Sequence, residues 1–271
     1  MIDPASDEAR IARRQSFDAV ACLYDEMRPG YPPAVFDEII ATSGIGSRSR
    51  LLEIGCGTGH ATLVFARHGF RVDGVELGEN MAAVARANLA DLDRVAIICA
   101  DFDHWRSAER YDLIYSASAY HWLNPATRIE HIAHHLAPGG WVAVWRNHFI
   151  RGSGPSDEFF HAAQAVYARE APALAAKFSG MLDPTQVASI EREEWLASGL
   201  FRDPETRVYT WSKQYTVDEY IRMLDTHSDH RLLPEANRTR LFADLARLAD
   251  DFGGAVIRDH ATILHIAQKA S

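Results

Sequence analysis

The sequence has few cysteines, no long apolar run and no excess of positive charge, and each absence excludes a class of protein. Its 271 residues include three cysteines, Cys22, Cys56 and Cys99, which are too few and too scattered for a disulfide framework. No segment approaches the roughly 20 consecutive apolar residues that a membrane-spanning helix needs. Residues 1–14 are charged and lack the apolar centre of a secretory signal. We therefore expect a cytoplasmic protein with no membrane partner.

Basic residues are outnumbered by acidic ones. The chain has 28 Lys and Arg against 37 Asp and Glu, which gives a formal net charge of −9. An acidic protein repels phosphate backbones, so this composition disfavours nucleic acid as a partner. The densest basic cluster, Arg10 with Arg13 and Arg14, lies among acidic residues and indicates a solvated helix face. The sequence leaves the oligomeric state open.

Short apolar strands alternate with helical segments in the first half of the chain. Strands followed by helices at this spacing indicate βαβ units, and hence a parallel sheet with helices on both faces. The predicted strands are Leu51–Ile54, Arg71–Glu76, Val95–Ala100, Tyr111–Ser116 and Trp141–Trp145, and the predicted helices between them are Ala61–His68, Met81–Ala90 and Arg128–Leu136.

The flanking segments are less regular. Helical character is predicted for residues 7–27 and Ala34–Thr42, with a break at Pro29–Pro33. In the second half we predict helices over Asp157–Arg169, Thr185–Ser198, Asp218–Leu224 and Glu235–Asp251, and strands over Thr206–Tyr215 and Ala261–Ala267. The predicted fold class is α/β: a Rossmann-like, doubly wound, mostly parallel seven-stranded sheet with a helical cap.

A glycine-rich turn, Glu53-Ile54-Gly55-Cys56-Gly57-Thr58-Gly59, follows the first strand and precedes a helix. Glycines at such a turn let the backbone approach a ligand closely, and the free N–H groups of the helix start face it. The spacing is G-x-G-x-G, whereas a dinucleotide fingerprint reads G-x-G-x-x-G. A carboxylate two residues before the first glycine suits a cationic ligand, such as a sulfonium or an ammonium, better than a pyrophosphate. The alternative interpretation is a tight turn that serves packing alone.

Two later strand ends add carboxylates near the same crevice. Glu76 ends the second predicted strand, where a carboxylate can accept hydrogen bonds from ribose hydroxyls. The third strand ends in Ala100-Asp101-Phe102, where Asp101 could accept a hydrogen bond from an adenine amino group. Together with the glycine turn, these residues predict a site for a cationic adenosine compound.

Five ordered motifs resemble those of class I S-adenosylmethionine-dependent methyltransferases of the small-molecule type, a group that includes trans-aconitate methyltransferase. They are L-L-E-I-G-C-G-T-G, V-D-G-V-E-L, C-A-D-F, Y-D-L-I-Y-S-A-S-A-Y-H-W and L-A-P-G-G, and the resemblance covers Leu51 to Trp145. The set is specific, although no single motif is. The resemblance implies S-adenosylmethionine as cofactor and transfer of its methyl group to a small-molecule substrate.

The resemblance also implies a role for each part of the cofactor site. A lid segment closes over the methionine carboxylate, the glycine turn wraps the methionine, and the second strand end holds the ribose. The third strand end and nearby side chains hold the adenine, and the backbone after the fourth strand, from Ser116 to Ser118, lines the amino-acid end. The implied cofactor-binding residues are Tyr24 and Arg28 in the lid, Glu53, Gly55, Gly57 and Gly59 in the turn, Glu76 at the ribose, Leu77, Met81, Asp101 and Phe102 at the adenine, and Ser116 at the amino-acid end.

No linker is visible, so we expect one methyltransferase domain over residues 1–271. Within it we assign residues 1–46 to an N-terminal helical lid and residues 50–147 to the cofactor-binding core. Residues 151–260 are assigned to a helical cap with a late strand, and residues 261–267 to the final strand.

Methyl transfer mainly requires alignment of donor and acceptor, and a base is needed only where the acceptor must lose a proton. The candidate residues are Tyr120, His121 and Trp122, just after the fourth strand, with His121 as the candidate catalytic base or acceptor ligand. Alternatively, this segment only supports the loop and the cofactor face. His227 and Arg231 are further substrate-binding candidates, Arg231 as a partner for a substrate carboxylate. The alternative for their segment is a solvated turn between helices.

Three histidines, His131, His134 and His135, share one helix face, but no H-E-x-x-H signature or third ligand accompanies them. We therefore expect a structural or surface role and no metal.

The segment after the fourth strand narrows the acceptor class. It has no N-P-P-Y or D-P-P-Y, the mark of amino methylation of nucleobases in related families, and no Pro-Cys pair that suggests attack on a cytosine carbon. The sequence also shows no carboxylate cluster like that of metal-dependent catechol enzymes. A macromolecular acceptor, a protein that binds S-adenosylmethionine without turnover, and a nicotinamide-dependent oxidoreductase remain alternatives. The identity of the acceptor does not follow from the sequence.

Overall fold

The computed structural model describes residues 17–152, 155–176, 183 and 190–270. The strands are β1 (Arg50–Ile54), β2 (Arg71–Glu76), β3 (Val95–Cys99), β4 (Tyr111–Ala117), β5 (Leu136–Phe149), β6 (Phe201–Thr216) and β7 (Ala255–Lys269). The helices of the described part are α1 (Ala21–Met27), α2 (Pro33–Ser43), α3 (His60–Arg67), α4 (Glu79–Asn88), α5 (Arg128–His135), α6 (Pro155–Glu170), α7 (Pro172–Ala175), α8 (Ile190–Ser198), α9 (Val217–Leu224), α10 (Ser228–Arg231) and α11 (Glu235–Asp251). A single 3₁₀ turn, Tyr120–Trp122, follows β4.

All seven strands form one sheet in the order β3-β2-β1-β4-β5-β7-β6. The pairs among β1 to β5 are parallel, and β7 runs antiparallel to both β5 and β6. The strand order reverses between β1 and β4, the position at which open α/β sheets bind ligands. The predicted Rossmann-like, mostly parallel seven-stranded fold is confirmed.

Both faces of the central strands are buried, as their continuous apolar sequences require. Leu51 and Leu113 pack on one face in a cluster with Phe36 of α2 and Phe65 of α3. The alternate residues Leu52 and Ile114 pack on the other face with Ile132 of α5 and Trp195 of α8. Helices therefore cover both faces of the sheet.

The last strands are longer than predicted. Pairing between β5 and β7 runs from Trp141 opposite Gln268 to Phe149 opposite His260, so the polar residues 146–148 belong to β5. The final strand begins at Ala255 rather than at residue 261. Ladder hydrogen bonds hold these polar residues in strands, and apolar periodicity does not report such bonds. The 3₁₀ turn, α7 and α10 were not predicted, because elements this short show no apolar periodicity. Parts of two predicted helices, residues 7–16 and 185–189, lie outside the described residues.

The helices after β5 pack together as a cap. Phe159 of α6, Tyr220 of α9 and Leu245 of α11 share one buried cluster, and Met27 of α1 joins it. Because Met27 lies in this cluster, the lid helix has its own buried contact with the cap. Within the cap, helix α9 begins with a capping box, in which Thr216 and Glu219 satisfy each other's backbone N–H groups. Whether the chain is a single domain stays a prediction. Within the described ranges, no helix combines the length and apolar character required to span a membrane.

Candidate active site

The glycine turn between β1 and α3 has the left-handed backbone that glycine permits. The φ angles of Gly55, Gly57 and Gly59 are 67°, 56° and 91°. A Cβ atom on Gly55 would lie 2.4 Å from the Cβ of Ala119, and one on Gly59 would lie 2.9 Å from Cδ1 of Leu89. The turn is therefore packed against the loop after β4 at Gly55, and a larger residue at Gly59 would displace the end of the Leu89 side chain.

The carboxylate of Glu76 joins the end of β2 to the glycine turn. Its Oε2 accepts a hydrogen bond from the N–H of Gly57 at 2.8 Å, and its Oε1 accepts one from the N–H of Gly78 at 2.8 Å. Charged acceptors make strong bonds of this kind, so the position of the carboxylate is well fixed. The structure thus brings together the glycine turn and Glu76, as predicted.

A first cavity, of about 100 Å³, lies between the lid, the glycine turn and the ends of β2 and β3. Its walls combine apolar side chains with the Glu76 carboxylate, which suits a flat aromatic ring carrying a polar sugar. Of the predicted residues, Tyr24, Gly55, Gly57, Glu76, Leu77, Met81, Phe102 and Trp122 line it.

A second cavity, also of about 100 Å³, continues from the first toward the cap. The two share Tyr24, Gly55 and Gly57 in their walls, so they form one elongated cleft. Of the predicted residues, Tyr24, Arg28, Glu53, Gly55, Gly57 and His227 line the second cavity.

Arg28 ties the lid to the cap at the edge of the second cavity. Its Nε donates to Oγ1 of Thr226 at 2.8 Å, and its Nη2 donates to the carbonyl of Thr226 at 3.0 Å. The guanidinium also lies over the ring of Tyr24, 5.1 Å from the ring centroid. These contacts hold a positive charge in the cavity wall, where it can pair with a carboxylate of a ligand.

Glu53 lies at the floor of the second cavity and is 1% exposed. Its carboxyl accepts a hydrogen bond from the Thr62 hydroxyl. Burial raises the pKa of Glu53 to about 8, against the lowering effect of that bond. Glu53 is therefore mainly protonated at neutral pH in the free protein, and a cationic ligand group would favour its ionised form.

Six predicted residues do not line the first two cavities; two of them, Tyr120 and His121, line a third cavity described below, and the other four line none of the three. Asp101 accepts the N–H of Asp103 at 3.2 Å and lies 3.4 Å from the His104 ring, while its neighbours Ala100 and Phe102 form the wall. Ser116 is 1% exposed and donates to the carbonyl of Ile54, because its side chain points into the sheet.

The other two, Gly59 and Arg231, contact neighbouring residues of the protein instead of a cavity. Gly59 precedes α3 and only allows the close approach of Leu89. Arg231 forms an ion pair with Asp225 at 3.1 Å, and its pairing with a substrate carboxylate stays a prediction.

The segment Tyr120–Trp122 is divided between two cavities because its 3₁₀ turn points successive side chains in different directions. Trp122 lines the first cavity and makes an edge contact with Phe17, with ring centroids 6.0 Å apart. Tyr120 and His121 line a third cavity of about 110 Å³. Burial and the nearby Arg146 lower the pKa of His121 to about 3, so it is a neutral and weakly basic imidazole in the free protein.

The histidines of α5 belong to an aromatic stack. The ring of His131 lies 4.5 Å from that of Phe102 and 4.7 Å from that of His135, measured between centroids. They therefore support Phe102 in the wall of the first cavity. No group of three or more His, Cys, Asp or Glu side chains in the described part of the chain is arranged to hold a metal.

Of the segment 116–118, which the resemblance places at the amino-acid end of the cofactor, Ser118 borders all three cavities. Its φ is 60°, which is uncommon for a residue other than glycine. Its N–H donates to the carbonyl of Trp145 at 2.7 Å, and its hydroxyl accepts from Tyr31 at 2.9 Å. The polar run Arg146-Asn147-His148, which directly follows an apolar strand, was the available sequence signal for the other cavity walls. Glu191 and His265, in the wall of the third cavity, were also not predicted.

Comparisons with known proteins agree with this geometry. Residues 51–140 match the family model of a methyltransferase domain. An uncharacterized methyltransferase of Mycobacterium tuberculosis is 31% identical over 131 residues, which are 48% of this chain and 51% of the relative. The chain thus spans about half the length of this relative. A trans-aconitate 2-methyltransferase of the same species is 26% identical over 189 residues, 69% of this chain and 67% of the relative.

A solved structure shows the same fold over nearly the whole chain. Phosphoethanolamine N-methyltransferase 2 of Haemonchus contortus, in complex with phosphomonomethylethanolamine and S-adenosylhomocysteine, has a TM-score of 0.55 at 20% identity. The likeness covers 98% of this chain and 61% of that one. The family match thus identifies residues 51–140 as a methyltransferase domain, and the relatives and the fold of the chain resemble those of class I S-adenosylmethionine-dependent methyltransferases.

Proposed function

We propose that this protein transfers the methyl group of S-adenosylmethionine to a small-molecule acceptor. The observation that carries the proposal is the contact of the Glu76 carboxylate with the N–H of Gly57 in the wall of an elongated cleft. One end of this cleft is apolar and aromatic, and the other has a guanidinium and a buried carboxyl. S-adenosylmethionine has a matching arrangement, with an aromatic adenine at one end and the charged amino and carboxylate groups of methionine at the other.

The side chains of the cleft fit the parts of this donor. Leu77, Met81 and Phe102 form apolar walls for an adenine ring, and Glu76 can accept hydrogen bonds from ribose hydroxyls. In the second cavity, Arg28 can pair with the methionine carboxylate and Glu53 can balance its ammonium group. When bound, S-adenosylmethionine supplies a methyl carbon that its sulfonium group activates for displacement.

The lid can exclude water from the cleft. Phe17 makes edge contacts with both Tyr24 and Trp122, with centroid distances of 6.0 Å each, so a group of aromatic rings lines the first cavity on the lid side. Aromatic faces also attract cations, which suits a sulfonium ligand. The contribution of the protein to the reaction is then alignment of the two reactants in a site without bulk water.

The small-molecule class of the acceptor is supported by the size of the cavities and by the cap. Each of the three cavities has a volume of about 100 to 110 Å³, and buried cap helices lie beside the second. The trans-aconitate 2-methyltransferase among the relatives acts, by its name, on a small acid. The net charge of −9 also disfavours a nucleic-acid acceptor.

A transfer assay with methyl-labelled S-adenosylmethionine tests the proposal. The acceptors are a panel of small acids, alcohols and amines, and, separately, the small-molecule and macromolecular fractions of a cell extract. We expect label in a small product, a loss of at least tenfold in kcat/KM for Glu76→Ala, and little change for the exposed control Glu79→Ala. Label only in the macromolecular fraction, or donor binding with no transfer to any fraction, would contradict it.

A further inference from the structure

The third cavity adjoins the elongated cleft formed by the first and second cavities, which is called the donor cleft from here on. It lies between the turn after β4 and the facing strands β5 and β7, and its volume is about 110 Å³. Ser118 belongs to the walls of all three cavities, and Ala119 to those of the first and the third. A molecule held in the third cavity can therefore reach the cleft past these two residues.

Arg146 of β5 brings a positive charge to this cavity, and the nearby Glu191 carboxylate acts on that charge without forming a close ion pair with it. Its Nε donates to Nε2 of His148 at 2.8 Å, which fixes the plane of the guanidinium. Among the described residues, no carboxylate forms an ion pair with Arg146 and its other N–H groups have no hydrogen-bond partner. By contrast, Arg128 is 6% exposed and ion-paired with Glu194. A half-buried guanidinium with free donors is a site for an anion, because burying a charge without a partner is costly.

The histidines of the cavity do not add to this charge. Burial and the nearby Arg146 lower the pKa of His121 to about 3 and that of His148 to about 4. Burial also lowers the pKa of His265. These neutral imidazoles can exchange hydrogen bonds with a ligand, and Arg146 alone among them selects for negative charge.

Glu191 limits the charge of the ligand. It is the carboxylate in the wall of the third cavity, with its Oε2 3.6 Å from Nε2 of His265. Arg146 attracts an anion while Glu191 repels it, and the repulsion grows with the charge of the ligand, so a singly charged ligand group is favoured over a doubly charged one. A planar guanidinium fork also matches a carboxylate in geometry.

We propose that Arg146 binds a carboxylate group of the methyl acceptor in the third cavity, which makes the acceptor a carboxylic acid. The inference rests on the proposed function, since the cavity is called an acceptor site only because it meets the donor cleft. In this assignment Arg146 binds the methyl acceptor, and the residues of the donor cleft bind S-adenosylmethionine.

Binding of matched probes tests this assignment. Acetate, succinate and benzoate are titrated against the protein, with and without S-adenosylhomocysteine, and compared with their neutral amides acetamide, succinamide and benzamide. We expect at least one acid to bind and its amide to bind at least tenfold more weakly. Arg146→Gln should lose at least tenfold in affinity for the acid, whereas Arg202→Gln should not, because Arg202 is exposed and bonded to Gln268.

A loss of binding in Arg146→Gln could also come from misfolding, so a second variant is included that should gain affinity. Glu191→Gln removes the opposing charge and should increase the affinity for the acid several-fold, a gain that misfolding does not produce. Equal binding of acid and amide, no binding of any acid, or unchanged affinity in Arg146→Gln would overturn the inference. If S-adenosylhomocysteine does not bind but the acid still depends on Arg146, the proposed function fails and the carboxylate site stands.

Discussion

Gly55 allows the glycine turn to pack closely against the loop after β4 at the wall of the donor cleft. Its φ is 67° and a Cβ would lie 2.4 Å from the Cβ of Ala119. Gly55→Ala should therefore weaken binding of S-adenosylhomocysteine at least tenfold in a calorimetric titration, because the turn and the loop after β4 must separate. Gly199→Ala is the matched control, since Gly199 has φ of 66° and open space around it.

The control separates backbone strain from steric conflict. Gly199→Ala should lower the free energy of unfolding by roughly 1 to 2 kcal/mol, the usual cost of a left-handed alanine, without changing the affinity. Equal affinity in the wild type and Gly55→Ala would show that the contact with Ala119 is unimportant for the ligand.

Glu53 makes stability depend on pH. Burial raises the pKa of Glu53 from 4.5 to about 8, so between these values the folded protein keeps a proton that the unfolded chain releases. The free energy of unfolding should thus receive a contribution from Glu53 that falls as pH rises from about 4.5 through about 8 and is lost above it. Urea unfolding at pH 6 and pH 9 measures this, and Glu53→Gln should show a smaller difference between the two. An equal difference in both proteins would rule out Glu53 as its source.

Sequence patterns placed strand ends well and side-chain directions less well. Glu76 and Asp101 both end parallel strands, yet only Glu76 turns to the glycine N–H groups, and Asp101 accepts a bond from Asp103 beside its own strand. The sequence predicts an Arg231 available to a substrate, but Asp225 six residues earlier pairs with it. Such choices depend on local hydrogen bonds that motif spacing does not encode.

At the scale of elements, the lid supplies a cap that helix α4 lacks. Gly78 is the N-cap of α4 and has no side chain to bond the first turn. Asp18 performs this task from the lid: its Oδ1 accepts the N–H of Met81 at 2.9 Å, and its Oδ2 accepts from the Asn80 side chain at 3.0 Å. The position of the lid is thereby coupled to the helix that places Met81 in the wall of the first cavity.

Removal of this cap should affect both stability and binding. Asp18→Ala should lower the free energy of unfolding by about 1 kcal/mol, the usual effect of losing an N-cap acceptor, and weaken S-adenosylhomocysteine binding several-fold. Asp18→Asn keeps the acceptor oxygen and should retain most of both, and the exposed Asp37→Ala is a control. Urea unfolding and calorimetry measure the two effects. If Asp18→Ala matches Asp37→Ala in both, the proposed coupling is wrong.

The bounds of the strands in the cofactor-binding core could be predicted from the apolar pattern of the sequence, whereas those of the later strands could be predicted only in part. Strands β1 to β4 begin and end within one or two residues of prediction because they are apolar and bounded by turns. Strands β5 and β7 extend into polar sequence because each satisfies the backbone of the other. The third cavity depends on this extension, since Arg146 and His148 lie in the part of β5 that was not predicted.

For the whole molecule, the cleft is closed by parts distant in sequence. Met27 of the lid packs in the cap cluster, and Arg28 bonds to Thr226 between α9 and α10. A ligand that fills the cleft contacts both parts and should stabilise the folded chain as a unit. S-adenosylhomocysteine at 100 times its Kd should raise the free energy of unfolding by about 2.7 kcal/mol. Urea unfolding with and without it measures the gain, and no gain at that concentration would mean that the unfolded chain binds as well.

A calorimetric titration with S-adenosylhomocysteine tests the assignment of the donor cleft most directly. We predict that one molecule binds per chain, that Glu76→Ala weakens binding at least tenfold and Glu79→Ala does not, and that NAD does not bind. Binding of NAD with equal or greater affinity, or no binding of S-adenosylhomocysteine to the wild-type protein, would contradict this assignment.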